Sequence, residues 1–161
     1  LSVNLSDRTL SKIEVITQAN RLYDELFKLT LRSFGLYSRN SPMRKKYNEM
    51  LKLDINSSYL EKLISTKQEL IESLGSNLVR LVNAANSVYP RNTTEANLRL
   101  LYQNEAISLC SMIESELNGI AFRFDVDVNY FKEAIQALSK EEHLLKEWRK
   151  SDKVRFKRYF L

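Results

Sequence analysis

Six cations, Arg149, Lys150, Lys153, Arg155, Lys157 and Arg158, fall between Trp148 and Leu161 against a single acid, Asp152. Trp148, Phe156, Tyr159 and Phe160 are interleaved with them. Cations in such a run neutralise phosphates and aromatic faces stack on exposed bases, so together they offer polyanion chemistry. The stretch sums to +5, equal to the net charge of the whole chain, so the remainder is balanced. Two plainer readings stand beside this one. Cations are favoured at any helix C-terminus by the macrodipole, and Val154, Phe156 and Phe160 offer an apolar surface to a second subunit or another protein. A further basic group, Arg39, Arg44, Lys45 and Lys46 beside Tyr47, is either a solvated helix start or an anion contact, because first-turn cations oppose the helix dipole.

Catalysis has little to work with. The single histidine, His143, has Glu141, Glu142 and Glu147 as neighbours but no second histidine or cysteine at helical spacing. No metal site is expected there, and the paired Glu-x-x-His motifs of di-iron bundles cannot form from one histidine. His143 therefore reads as an exposed, partly charged residue. Glu114 and Glu116 fall on different helix faces, whereas an acid–base pair must converge. The single cysteine, Cys110, cannot close an internal disulfide and sits in an apolar helical pattern, which suits a small core residue. There is no Gly-rich phosphate loop, nucleophile elbow or Cys/His pair. The expectation is a protein that is not an enzyme and holds no cofactor.

The elements that position these residues are helices. Three Gly and two Pro in 161 residues are few, and the apolar residues recur at three- and four-residue steps. One domain is expected over residues 1–161, with a basic C-terminal extension over 152–161. No signal peptide or membrane-length apolar run is evident, so a reducing, cytoplasmic setting is the default expectation. A first helix carries Ile13, Ile16, Tyr23, Leu26, Phe27, Thr30 and Phe34 on one stripe and stops near Gly35. Pro42 opens a short helix to Leu53. A third, from Tyr59 to about Val88, buries Leu60, Leu63, Ile64, Leu70, Leu74, Leu78, Leu81, Val82 and Ala85, with Gly75 marking a close approach or a kink. The stretch Thr94 to about Phe122 has Leu98, Leu101, Tyr102, Ile107, Leu109, Met112, Ile113, Leu117 and Ile120 over a wide face, which suggests a central position. Asp127 caps the last helix, whose stripe is Val128, Phe131, Ile135, Leu138, Leu145 and Trp148. The fold class predicted is all-α, an antiparallel up-down-up-down four-helix bundle with a short extra helix between helices 1 and 2. Seven Phe and eight Tyr exceed what one interior holds; Tyr37, Tyr47, Tyr89 and Tyr130 either cap the bundle or line subunit contacts.

The segment Leu74-Gly75-Ser76-Asn77-Leu78-Val79-Arg80, running on into Ala84, Ala85 and Asn86, resembles the second helix of small bacterial four-helix-bundle proteins. These are the proteins encoded in intervening sequences of 23S ribosomal RNA genes and the accessory variability determinant (Avd) proteins of diversity-generating retroelements. The leucine-rich helix from Thr94 is similar as well, and Ala137-Leu138 through Leu145 to Trp148-Arg149-Lys150-Ser151 resembles the closing Trp-Arg helix of Avd. The resemblance covers roughly residues 70–151, with a weaker match in the first helix. It implies a non-catalytic accessory subunit in the form of a basic homopentamer. Such a subunit binds a reverse transcriptase and its template RNA, or an RNA–DNA hybrid, and supports mutagenic complementary-DNA synthesis. On the same resemblance Arg80, Arg149 and Lys150 match the family's basic positions, while the Pro42–Leu53 segment and the tail beyond Ser151 depart from its small members. The alternative from another class is a protein-interaction bundle, a scaffold that binds no nucleic acid.

Overall fold

Apolar stripes at helical spacing need partners, and four helices supply them to one another. The computed structural model describes residues 10–36, 49 and 57–160. Helix α1 spans Leu10–Leu31, α2 Ser57–Ser87, α3 Thr93–Phe124 and α4 Lys132–Arg155. Helix α1 packs on α2 and α4, α2 packs on α3, and α3 packs on α4, so neighbours in the chain are neighbours in a closed ring. Every adjacent pair is antiparallel. Gln68 of α2 donates to Thr30 O at the end of α1, and Lys67 of α2 pairs with Glu116 late in α3 at 3.0 Å. Glu14 meets Lys140 while Gln18 meets Ala137, so α4 runs back along α1, and Arg99 early in α3 meets Asp152 late in α4. This is the all-α, up-down-up-down four-helix bundle expected, and no strand occurs among the described residues. The extra helix expected over Pro42–Leu53, apart from the helical Glu49, and the basic group Arg39, Arg44, Lys45 and Lys46 lie outside the described residues.

The helix ends follow their local chemistry. Helix α1 stops where Ser33, Phe34 and Gly35 all take positive φ, a conformation that breaks the right-handed ladder. Helix α3 starts at Thr93, one residue earlier than expected, because Asn92 is the cap: its side-chain oxygen accepts from Glu95 N at 2.9 Å. It ends at Asp125 in the left-handed region. Asp127 does cap, but it caps a 3-10 turn over Val128–Phe131, accepting from Asn129 N, and α4 begins at Lys132. Val128 is accordingly exposed rather than buried.

In α2 Ile64, Leu74, Leu78, Val82 and Ala85 are buried as expected, with Ile71 among them; Leu63, Leu70 and Leu81 are partly buried, and the side chain of Leu60 lies outside the described residues. Of the expected α1 stripe Leu26, Thr30 and Phe34 are buried, Ile16 and Tyr23 are partly buried and Phe27 is exposed, while Val15, Gln18, Ala19, Leu22 and Leu29 are buried as well. Helix α1 touches both α2 and α4, so its buried face is wider than a single stripe. Gly75 marks a close approach. The ring of Tyr23 lies across it, and its hydroxyl donates to Glu72. The Cβ that Gly75→Ala adds would meet Tyr23 Cδ2 at 2.7 Å. Alanine gains about 1 kcal/mol in helix propensity, while overpacking costs about 1–3 kcal/mol. Gly75→Ala is therefore expected to destabilise by about 1 kcal/mol, read as a fall of about 2–4 °C in a circular-dichroism melt. A higher melting temperature would show that Tyr23 swings aside freely.

Candidate nucleic-acid interface

Helix α3 inverts its expected face over its first half. Arg99, Gln103 and Ala106 are buried, whereas Leu98, Leu101 and Met112 are exposed, the last two at 50% and 52%. The cause is a polar junction at the end of the bundle where α2 finishes, α3 starts and α4 finishes. Arg99, 1% exposed, donates from Nε to Asp152 Oδ2 at 2.6 Å and from Nη2 to Oδ1 at 3.2 Å. Its Nη1 donates to the carbonyls of Ala85 at 3.2 Å and Val88 at 2.9 Å, groups left without helical partners where α2 ends. Gln103 Nε2 donates to Asp152 Oδ2 at 2.6 Å. The guanidinium lies over Trp148, 4.8 Å from the ring centroid, and 5.7 Å from that of Phe156. A buried charge is tolerated only when paired and hydrogen-bonded, and this one is. Trp148 is buried, as its phase with the α4 stripe implies.

The junction removes the one acid from the basic terminus. Asp152 is turned inward, and none of Arg149, Lys150, Lys153, Arg155, Lys157 and Arg158 forms an ion pair among the described residues. Arg149 donates to Asn104 Oδ1 on α3 at 2.8 Å. Lys150, Lys153, Arg155, Lys157 and Arg158 are exposed. They do not form one stripe. Arg149 and Lys153, four apart, flank the α3–α4 seam where Phe160 also packs. Lys150 lies on the outward side with the exposed Val154, and Arg155 leans toward the α2–α3 loop, its Cζ 5.6 Å from the Tyr89 ring centroid. The positive surface thus wraps the end of the helix. Helix α4 runs unbroken to Arg155 and Phe156 is buried, so the first residues of the expected extension are part of the bundle.

Arg80 is exposed on α2 and is not brought to the terminal cations. It lines an open cleft of about 600 Å³ between α2 and α3 with Leu81, Tyr102, Glu105, Leu109 and Met112. The candidate catalytic groups stay apart. His143 is exposed. Glu116 is held by Lys67 and Glu114 is exposed. Cys110 is fully buried, and burial pushes its thiol well above the ordinary range, with Glu141 adding to the effect. No cluster of three metal-ligating side chains occurs among the described residues. No described helix is long and apolar enough to cross a membrane.

Glu141 itself is a residue the sequence reading left unplaced. It is 0% exposed, neither carboxyl oxygen has a hydrogen-bond partner, and burial pushes its pKa up to about 9. The other unplaced residues are Arg99 and Gln103. A signal for Glu141 and Asp152 was present: with Phe131, Ala134, Leu138, Leu145 and Trp148 they continue one three–four spacing that is buried throughout. Comparison of the chain with protein-family models, with curated proteins and with solved structures gave no match.

Proposed function

We propose that this protein is a non-catalytic, nucleic-acid-binding accessory subunit, similar in role to the Avd proteins, that engages a reverse transcriptase and its template RNA during mutagenic complementary-DNA synthesis in the cytoplasm. One observation supports the nucleic-acid part above the others. Six cations surround the end of α4 while the only acid in the run, Asp152, is consumed by Arg99. With that acid taken up by the buried pair, the cations are left without an acid partner among the described residues, and such cations are what phosphate contact and counterion release require. The reverse transcriptase and the retroelement setting come from the sequence resemblance alone. The combined reversal Arg149→Glu, Lys150→Glu, Lys153→Glu and Arg155→Glu is expected to weaken RNA binding at least about tenfold at low salt, as read by fluorescence anisotropy. An unchanged affinity in a folded variant would sink the reading.

A second reading has its own support. The exposed Leu98 and Leu101 form a short apolar strip on a helix that already has a core face, and beyond Glu105 and Ser108 the exposed Met112 lines the α2–α3 cleft. Exposed apolar strips of this kind serve protein contact. They fit the homo-oligomer, a pentamer by resemblance, or a scaffold that docks another protein. Mass in solution separates an oligomer from a monomer, and a scaffold without nucleic-acid function keeps its partner after the charge reversal.

A further inference from the structure

Tyr89 stands at the end of the α2–α3 connection, 56% exposed. It is not loosely held. Its ring meets that of Phe156 at 5.6 Å and 89°. Phe156 is buried and rests against the Arg99 guanidinium. On the other side Tyr159 lies 6.5 Å from Phe156 with its ring inclined by only 27°. Two half-open aromatic rings are therefore anchored on one buried ring, which is anchored on the polar junction. Each open ring carries an arginine. Arg155 Cζ is 5.6 Å from the Tyr89 centroid and 5.3 Å from that of Phe156, and Arg158 Cζ is 4.7 Å from that of Tyr159. Neither arginine has an acid partner among the described residues.

We propose that this end of the bundle is a platform for a single strand, with Tyr89 and Tyr159 taking unpaired bases and Arg155, Lys157 and Arg158 taking the adjoining phosphates. The proposal rests on the nucleic-acid reading above and adds which form of nucleic acid is bound and which residues read it. In the free protein the exposed guanidiniums cover the rings, a contact worth about two- to fivefold in an equilibrium constant. A base stacked on an aromatic ring is worth about five- to hundredfold in affinity, and the released arginine gains a phosphate. The exchange therefore runs toward the bound strand. A duplex keeps its base faces hidden and offers phosphates alone, so it gains only the charge contribution. Because the rings are held before binding, little ordering is needed when the strand arrives.

The test uses the full chain with two probes at low salt, a short fluorescein-labelled uridine-rich RNA and a blunt RNA duplex of the same length. The wild-type chain is expected to bind the single strand more tightly. Tyr89→Ala is expected to weaken single-strand binding about fivefold or more and to leave duplex binding unchanged, with a melt lowered by only about 2–4 °C for the lost contact with Phe156. Tyr89→Phe and Tyr159→Phe keep the ring and are expected to retain wild-type affinity, which separates stacking from a role for the hydroxyls. Equal affinity for both probes with Tyr89→Ala neutral overturns the platform and leaves the nucleic-acid reading standing. Binding of neither probe overturns both.

Discussion

Asp152→Ala is expected to lower the unfolding free energy by about 3–5 kcal/mol, the loss typical when one partner of a buried ion pair is removed. The reason is not the strength of the pair but what remains. Arg99 is 1% exposed, and without Asp152 it keeps only the Ala85 and Val88 carbonyls as acceptors for a full charge. Gln103 loses its acceptor as well. Replacing both partners by apolar residues, Arg99→Leu with Asp152→Leu, is expected to recover most of the loss, since no charge is then buried. Arg99→Lys is not conservative here, because an ammonium cannot span a carboxylate and two carbonyls as the guanidinium fork does. Urea unfolding followed by circular dichroism reads these effects, with a midpoint shift of roughly 2 M for Asp152→Ala. A loss under about 1 kcal/mol would mean that water reaches the junction.

Glu141 carries the other large effect, and it has a pH signature. Burial raises its pKa from an ordinary value of 4.5 to about 9. Between those values the folded chain keeps the proton and the unfolded chain releases it. The folded state then binds more protons than the unfolded state, so stability falls as pH rises across this window. Below the window both states are protonated, and above it both are ionised, so the dependence flattens at each end. Glu141→Leu removes the titration and fills a similar volume. Its stability advantage over the wild type is expected to widen by on the order of 3 kcal/mol between pH 5 and pH 8. Urea titrations at the two pH values measure this. An advantage that does not change with pH would show the carboxyl ionised in the folded chain.

The residues that made the fold legible were those whose burial needs no distant partner. Ile64, Leu74, Leu78, Val82 and Ala85 sit inside at the spacing that places them there. In α3 Ile113, Leu117 and Ile120 follow the same rule, but the start of the helix departs from it because Arg99 finds its partner 53 residues away. A rule that puts leucine inside and arginine outside cannot see a carboxylate and two carbonyls converging from other helices. Phe27 and Val128 failed for smaller reasons, a stripe weighted toward bulk and a helix start placed one turn early. The cations of the candidate site were legible as a run of charge. Its geometry was not: whether Asp152 neutralises that run or leaves it depends on which way one side chain turns. The role of Tyr89 likewise depends on Phe156, which only the tertiary fold brings to it.

Whether the uncompensated charge at the end of α4 meets a nucleic-acid backbone is tested most directly by the salt dependence of binding. The affinity of the full chain for a short uridine-rich RNA, measured by anisotropy across a potassium chloride series, is expected to fall linearly on logarithmic axes. Each neutralised phosphate of a single strand contributes about −0.7 to the slope, and the fourfold reversal at Arg149, Lys150, Lys153 and Arg155 is expected to flatten it. An affinity that does not change with salt, or a slope the reversal leaves intact, contradicts the account.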